Sequence, residues 1–148
     1  MKMGRKVLAL MLAMALVVAV YAQGDVEAKV VKKTGHYSAV LSKKGPGGKS
    51  YVKKAVIKKN KLIVYGRVDY DNETKFKTLK YKKRVFILSK DCSIWKNKVT
   101  KSGAIRGTMI SVKKFNKITK KIKKKYNAKK FMTWDVYDGK VDSVYITP

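Results

Sequence analysis

Acidic residues are scarce in this chain: nine Asp and Glu face 37 Lys and Arg in 148 residues. So few carboxylates leave little material for paired-acid catalysis or for a calcium site needing six to eight oxygens. Cysteine occurs once, at Cys92. No internal disulfide can form, and Cys92 is a buried apolar residue, a free thiol or half of an intermolecular bridge. Histidine also occurs once, at His36. A cysteine nucleophile needs a base within hydrogen-bond reach, and nothing in the sequence brings His36 to Cys92. There is no Ser-His-Asp order, metal-ligand cluster or glycine-rich phosphate loop. The expectation is a non-enzymatic protein without a cofactor.

The N-terminus carries the clearest pattern. Lys2, Arg5 and Lys6 precede an unbroken apolar run from Val7 to Val20, followed by Val20-Tyr21-Ala22. This is the three-part signature of a secretory signal peptide. The run is shorter than the roughly 20 residues a spanning helix needs. Residues 1–22 are therefore expected to be a signal peptide cleaved near Ala22, which makes the mature chain secreted or extracytoplasmic. No cysteine lies near the cut to carry a lipid.

Without Lys2, Arg5 and Lys6, 34 basic residues still face 9 acidic ones, a net charge of +25. Such charge repels itself and strains the compact state, and an anionic partner relieves it. Only Arg67, Arg84 and Arg106 of the remaining bases are arginine. Lysine is a hydrated point charge without arginine's bidentate fork, so attraction with low chemical specificity is expected. Outside a cell the candidates are wall polymers, acidic glycans, lipid headgroups and released nucleic acid.

Residues 23–50 read as a lead-in and linker, in which Val26 to Val31 and His36 to Leu41 each suit a short strand, followed by the loop Lys43-Lys44-Gly45-Pro46-Gly47-Gly48-Lys49. A compact β-rich domain is expected over residues 51–148. Tyr51 to Lys58 and Lys61 to Tyr70 read as two strands around Lys59-Asn60, and Leu62, Val64, Gly66 and Val68 alternate in the second. Asp69 to Thr74 reads as a polar turn. Phe76 to Tyr81 and Arg84 to Ser89 read as extended, with Val85-Phe86-Ile87-Leu88 buried on both faces. Lys90 to Gly103 reads as irregular, pinned by Ile94 and Trp95, and Ala104 to Ile110 as a further strand.

The period then changes. Val112, Phe115, Ile118, Ile122 and Tyr126 lie on one face of a helix. Ser111 is placed to cap it and Asn127 to end it. Asp138-Gly139 between alternating runs predicts a type I′ hairpin, with Asp135 facing Asp142. That opposition of like charges needs surrounding lysines, another register or a cation. The fold class is α+β: a mostly antiparallel sheet or small OB-like barrel, with one amphipathic helix before a C-terminal hairpin.

Arg84-Val85-Phe86-Ile87-Leu88-Ser89-Lys90-Asp91-Cys92, Met109-Ile110-Ser111-Val112-Lys113-Lys114-Phe115 and Asp138-Gly139-Lys140-Val141-Asp142-Ser143-Val144-Tyr145-Ile146 together resemble small secreted β-rich domains of Gram-positive bacteria. The resemblance covers about residues 50–148 and implies no activity and no functional residues.

The predicted helix is the sharpest candidate site. It carries Lys113, Lys114, Lys117, Lys120, Lys121, Lys123, Lys124 and Lys125 and no acid. Four i,i+4 pairs are like-charged, each costing about 0.2–0.5 kcal/mol. Lys113, Lys117, Lys120, Lys121 and Lys124 are the expected anion-binding residues. The function expected is a binding module for anionic polymers at a wall or membrane surface. One alternative is a structural or interaction domain with incidental charge. The other is an OB-like binder of nucleic acid, since Tyr51 and Tyr81 interleave with Lys53, Lys54, Lys82 and Lys83 as in stacking grooves.

Overall fold

The computed structural model describes residues 28–148. The expected signal peptide lies outside the described residues. Among the described residues there are nine strands: β1 (Gly35–Leu41), β2 (Tyr51–Lys58), β3 (Lys61–Arg67), β4 (Asp69–Asn72), β5 (Lys75–Thr78), β6 (Lys82–Val99), β7 (Ile105–Met109), β8 (Phe131–Tyr137) and β9 (Lys140–Thr147). Among the same residues one helix, α1 (Val112–Thr119), precedes the last two strands.

Alternation decides what the strands bury. Leu62, Val64 and Gly66 of β3 turn inward, and so do Phe86 and Leu88 of β6. In β2 a bulge at Lys53 shifts the register between Val52 and Lys54. Val52 and Ala55 can therefore both be buried although they are three residues apart.

The strands pair in the order β2-β3-β6-β9-β8-β1, and β1 returns to β2 through Val40↔Tyr51 and Leu41↔Val52. The protein is thus mostly β, a closed six-strand barrel with one short helix. The β1–β2 and β6–β9 pairs are parallel and the other strand pairs antiparallel. Closure needs a tight corner where β3 turns into β4. Gly66 supplies it: a Cβ there would lie 2.1 Å from the Tyr51 carbonyl oxygen. Aromatics fill the interior. Tyr37 stacks on Trp134 at 5.9 Å and meets Phe86 edge-on at 5.1 Å. Such pairs add to burial about 0.5–1.5 kcal/mol each.

Four expectations need correction. The stretch expected as lead-in contains β1, a barrel strand that buries Tyr37, Ala39 and Leu41 and pairs with β2, β4 and β8. The domain therefore begins before residue 51. The expected turn Asp69–Thr74 is mostly β4, which pairs with β1 and β5 and leaves Glu73-Thr74 as the turn. The expected irregular stretch after Lys90 continues β6 to Val99, because Ser93 to Lys96 pair with β9 and Trp95 to Val99 with β7.

The fourth concerns the helix. It starts as expected, with Ser111 Oγ accepting from the Lys114 amide at 3.1 Å. It ends at Thr119, not near Asn127. Lys121 and Ile122 bond back to the carbonyls of Ile118 and Thr119, tightening the last turn. Beyond it the backbone has other partners: the Lys123 carbonyl accepts from the Lys43 amide and the Lys124 carbonyl from Ser42 Oγ. Three of the four like-charged i,i+4 pairs thereby leave the helix, and only Lys113–Lys117 stays within it.

The C-terminal hairpin forms on Asp138 and Gly139, with φ of 50° and 77°. Its register differs from the expected one at the two acids. Val136 pairs with Val141 and Trp134 with Val144, so Asp142 and Ser143 together oppose Asp135 across a bulge. Asp135 is held instead by His36, Nδ1 to Oδ1 at 2.7 Å.

Candidate functional site

Charge is unpaired across most of this molecule. Among the described residues the one ion pair is His36–Asp135, which takes no lysine. Asp69, which could have neutralised one, accepts from the hydroxyls of Ser50 and Thr78 at 2.6 Å each. The acids also gather away from the densest lysines. Asp71, Glu73 and Asp135 line a depression beside His36 at the start of β1.

The opposite end of β1 opens on a cleft. Its first part, about 420 Å³, has a floor of Leu41, Ile118, Ile122 and Pro148 and a rim of Lys96, Lys121, Lys123, Lys125 and Lys130. A second part, about 900 Å³, shares Lys96, Asn127, Lys130 and Pro148 and adds Lys98 and Lys129. The two parts adjoin at those shared residues; seven lysines border them, and no acid does.

Local structure explains the gathering. Lys96 and Lys98 share one face of β6 because strand side chains repeat every two residues. Lys121, Lys123 and Lys125 follow α1, on the segment that the Ser42 and Lys43 bonds tie to the end of β1. Lys129 and Lys130 lead into β8, and the Lys130 carbonyl accepts from the Leu41 amide. Ile122 is buried beneath this segment although it lies outside the helix.

The expected site residues divide. Lys121 lines the cleft. Lys120 caps α1 and lines a neighbouring hollow with Lys43, Lys53 and Lys54. Lys113, Lys117 and Lys124 are exposed and line neither. Sequence reasoning placed Lys123 and Lys125 on the helix without naming them as binding residues, and missed Lys96, Lys98, Lys129 and Lys130. The stretch holding Lys96 and Lys98 was read as irregular because Lys96-Asn97-Lys98 shows no apolar alternation. The apolar stripe is partly core: Phe115 and Ile122 are buried, whereas Val112 is exposed.

The chemically reactive side chains lie elsewhere. Cys92 is a half-buried free thiol. Burial first, and then Asp142, push its pKa up to about 11. The thiolate is the nucleophile, so this thiol is poorly reactive at neutral pH. Among the described residues no group of three or more His, Cys, Asp or Glu could hold a metal ion, and no helix is long and apolar enough to cross a membrane.

The aromatic pair expected beside lysines does meet. The Tyr51 and Tyr81 rings lie 6.0 Å apart, and Lys54 and Lys83 stand over the Tyr65 ring at 5.3 and 5.8 Å. No family model, no curated protein and no solved structure matches the chain.

Proposed function

We propose that this protein is a secreted, non-enzymatic binding module for anionic polymers at the cell surface. The observation that carries the reading is the cleft of seven lysines without an acid. Lysines crowded around a concave surface focus positive potential and raise the local concentration of anions. The charge there is not consumed within the protein, because no lysine among the described residues has a carboxylate partner. The apolar floor of Leu41, Ile118, Ile122 and Pro148 suits a chain with an aliphatic or sugar backbone between its charges.

The expected anion-binding set is refined accordingly. Lys121 stays at the centre, Lys120 serves a flanking hollow, and Lys113, Lys117 and Lys124 contribute field more than contact. Retention on immobilised heparin, an acidic glycan, tests the proposal. Binding should fall steeply with salt, because polyanion contacts release counterions. A second reading, an OB-like binder of single-stranded nucleic acid, draws on the Tyr51–Tyr81 pair and the lysines over Tyr65. It expects Tyr51→Ala and Tyr81→Ala to weaken oligonucleotide binding by about 1–3 kcal/mol per stacked base, with heparin retention unchanged.

A further inference from the structure

Among the described residues Arg84 is the one buried arginine. It is 3% exposed and shares the inward face of β6 with Phe86 and Leu88. Nη1 donates to the Gly66 carbonyl at 2.9 Å and Nη2 to the Lys80 carbonyl at 2.6 Å. Those bonds satisfy two of its N–H groups and neutralise no charge. Among the described residues it has no carboxylate within ion-pair reach. An uncompensated buried cation is costly, and burial lowers the Arg84 pKa accordingly.

Arg84 lines a pocket of about 200 Å³ with Lys33, Lys77, Lys82, Tyr37 and Tyr70. This pocket is at the start of β1, away from the lysine cleft. Its architecture is fixed by hydrogen bonds. The Tyr37 and Tyr70 hydroxyls donate to the carbonyls of Lys33 and Thr34 at 2.8 Å each. That holds Lys33 in place, its Nζ 4.6 Å from the centre of the Tyr70 ring. Two backbone carbonyls would suffice for an arginine that only ties β6 to the corner at Gly66. They do not account for three lysines gathered on the same hollow, each repelling the others.

We propose that this pocket binds a single small oxyanion, the dianionic phosphate of a monoester or free phosphate, with Arg84 at its base and Lys33, Lys77 and Lys82 around it. Four cations match a dianion better than they match one carboxylate. The guanidinium N–H groups left over from the two carbonyls suit phosphate oxygens. The volume is below the roughly 300–1,000 Å³ of drug-sized ligand sites, so a terminal group enters and a polymer chain does not. The site is independent of the cleft, and either can fail without the other.

The test is titration of the protein lacking residues 1–22 with inorganic phosphate at constant ionic strength, read by calorimetry. Arg84 variants risk the fold, so Lys77→Gln with Lys82→Gln removes two exposed charges instead. A matched control carries Lys96→Gln and Lys98→Gln in the cleft. The double variant in the pocket should bind phosphate about tenfold more weakly, and the control should bind like wild type. Dimethyl phosphate, a monoanionic diester, should bind far more weakly than phosphate to wild type. Equal losses in the two double variants, no phosphate binding by wild type, or equal affinity for the diester would each overturn the proposal.

Discussion

Replacing Asn116 by alanine removes the clamp between α1 and the barrel. The Asn116 amide reads the backbone of Ile57 as a neighbouring strand would. Oδ1 accepts from the Ile57 amide at 2.8 Å, and Nδ2 donates to the Ile57 carbonyl at 2.8 Å. Ile57 is 2% exposed. Alanine therefore strands a buried donor and a buried acceptor, each costing about 1–3 kcal/mol when left unsatisfied. Partial access of water at the half-buried helix brings the expected loss to about 2–4 kcal/mol. Asn116→Asp separates hydrogen bonding from charge. It keeps the acceptor for the Ile57 amide, but its second oxygen faces the Ile57 carbonyl. An added acid beside so many lysines should stabilise if electrostatics dominate, whereas the bonding argument expects destabilisation. Urea unfolding with an unchanged slope is the assay. An alanine variant within about 0.5 kcal/mol of wild type, or a stabilised aspartate variant, would refute the reasoning.

Further outcomes follow from the same geometry. Phe115→Ala empties a fully buried site beneath α1 and should cost about 3–5 kcal/mol in chemical denaturation. Gly66→Ala drives a Cβ into the Tyr51 carbonyl and should destabilise by about 1–3 kcal/mol or more, with circular dichroism reporting the lost sheet if the barrel cannot close. Burial raises the Tyr37 pKa from 10.0 to about 12. The folded state then holds the proton more tightly, so this stability is intact below pH 10 and is lost as pH rises towards 12. The loss amounts to about 2–3 kcal/mol and should shrink in Tyr37→Phe when melting is followed against pH. Cys92 acts in the same direction, and iodoacetamide should label it slowly when folded and quickly when unfolded.

Much of the sheet was legible where alternation was clean. The β2–β3 pair, β7 and the hairpin on Asp138-Gly139 lie close to their expected places because period two and turn chemistry are local signals. The N-cap at Ser111 was also local. What escaped depended on tertiary partners. Gly35 to Leu41 looks like a short isolated strand until β2, β4 and β8 claim it. Ser93 to Val99 lacks alternation, since Lys96-Asn97-Lys98 is an unbroken polar run, and only its pairing with β7 and β9 makes it strand. The helix pattern runs on to Tyr126, but after the tightened turn at Lys121 and Ile122 the backbone is tied to Ser42 and Lys43 at the end of β1. The site shifted for the same reason. Sequence placed the anion surface on one helix, whereas the fold gathers lysines from β6, the segment after α1 and the approach to β8.

The central claim is that the cleft, rather than net charge, holds the polymer. The most direct measurement is retention on immobilised heparin as a function of salt for two variants of equal charge. One carries Glu at Lys96, Lys121, Lys123 and Lys130, which border the cleft. The other carries Glu at Lys58, Lys61, Lys75 and Lys90, which are exposed elsewhere. The expected result is early elution of the cleft variant, with a shallower salt dependence, while the other variant elutes close to wild type. Equal losses in the two variants would contradict the claim and leave only non-specific attraction by charge.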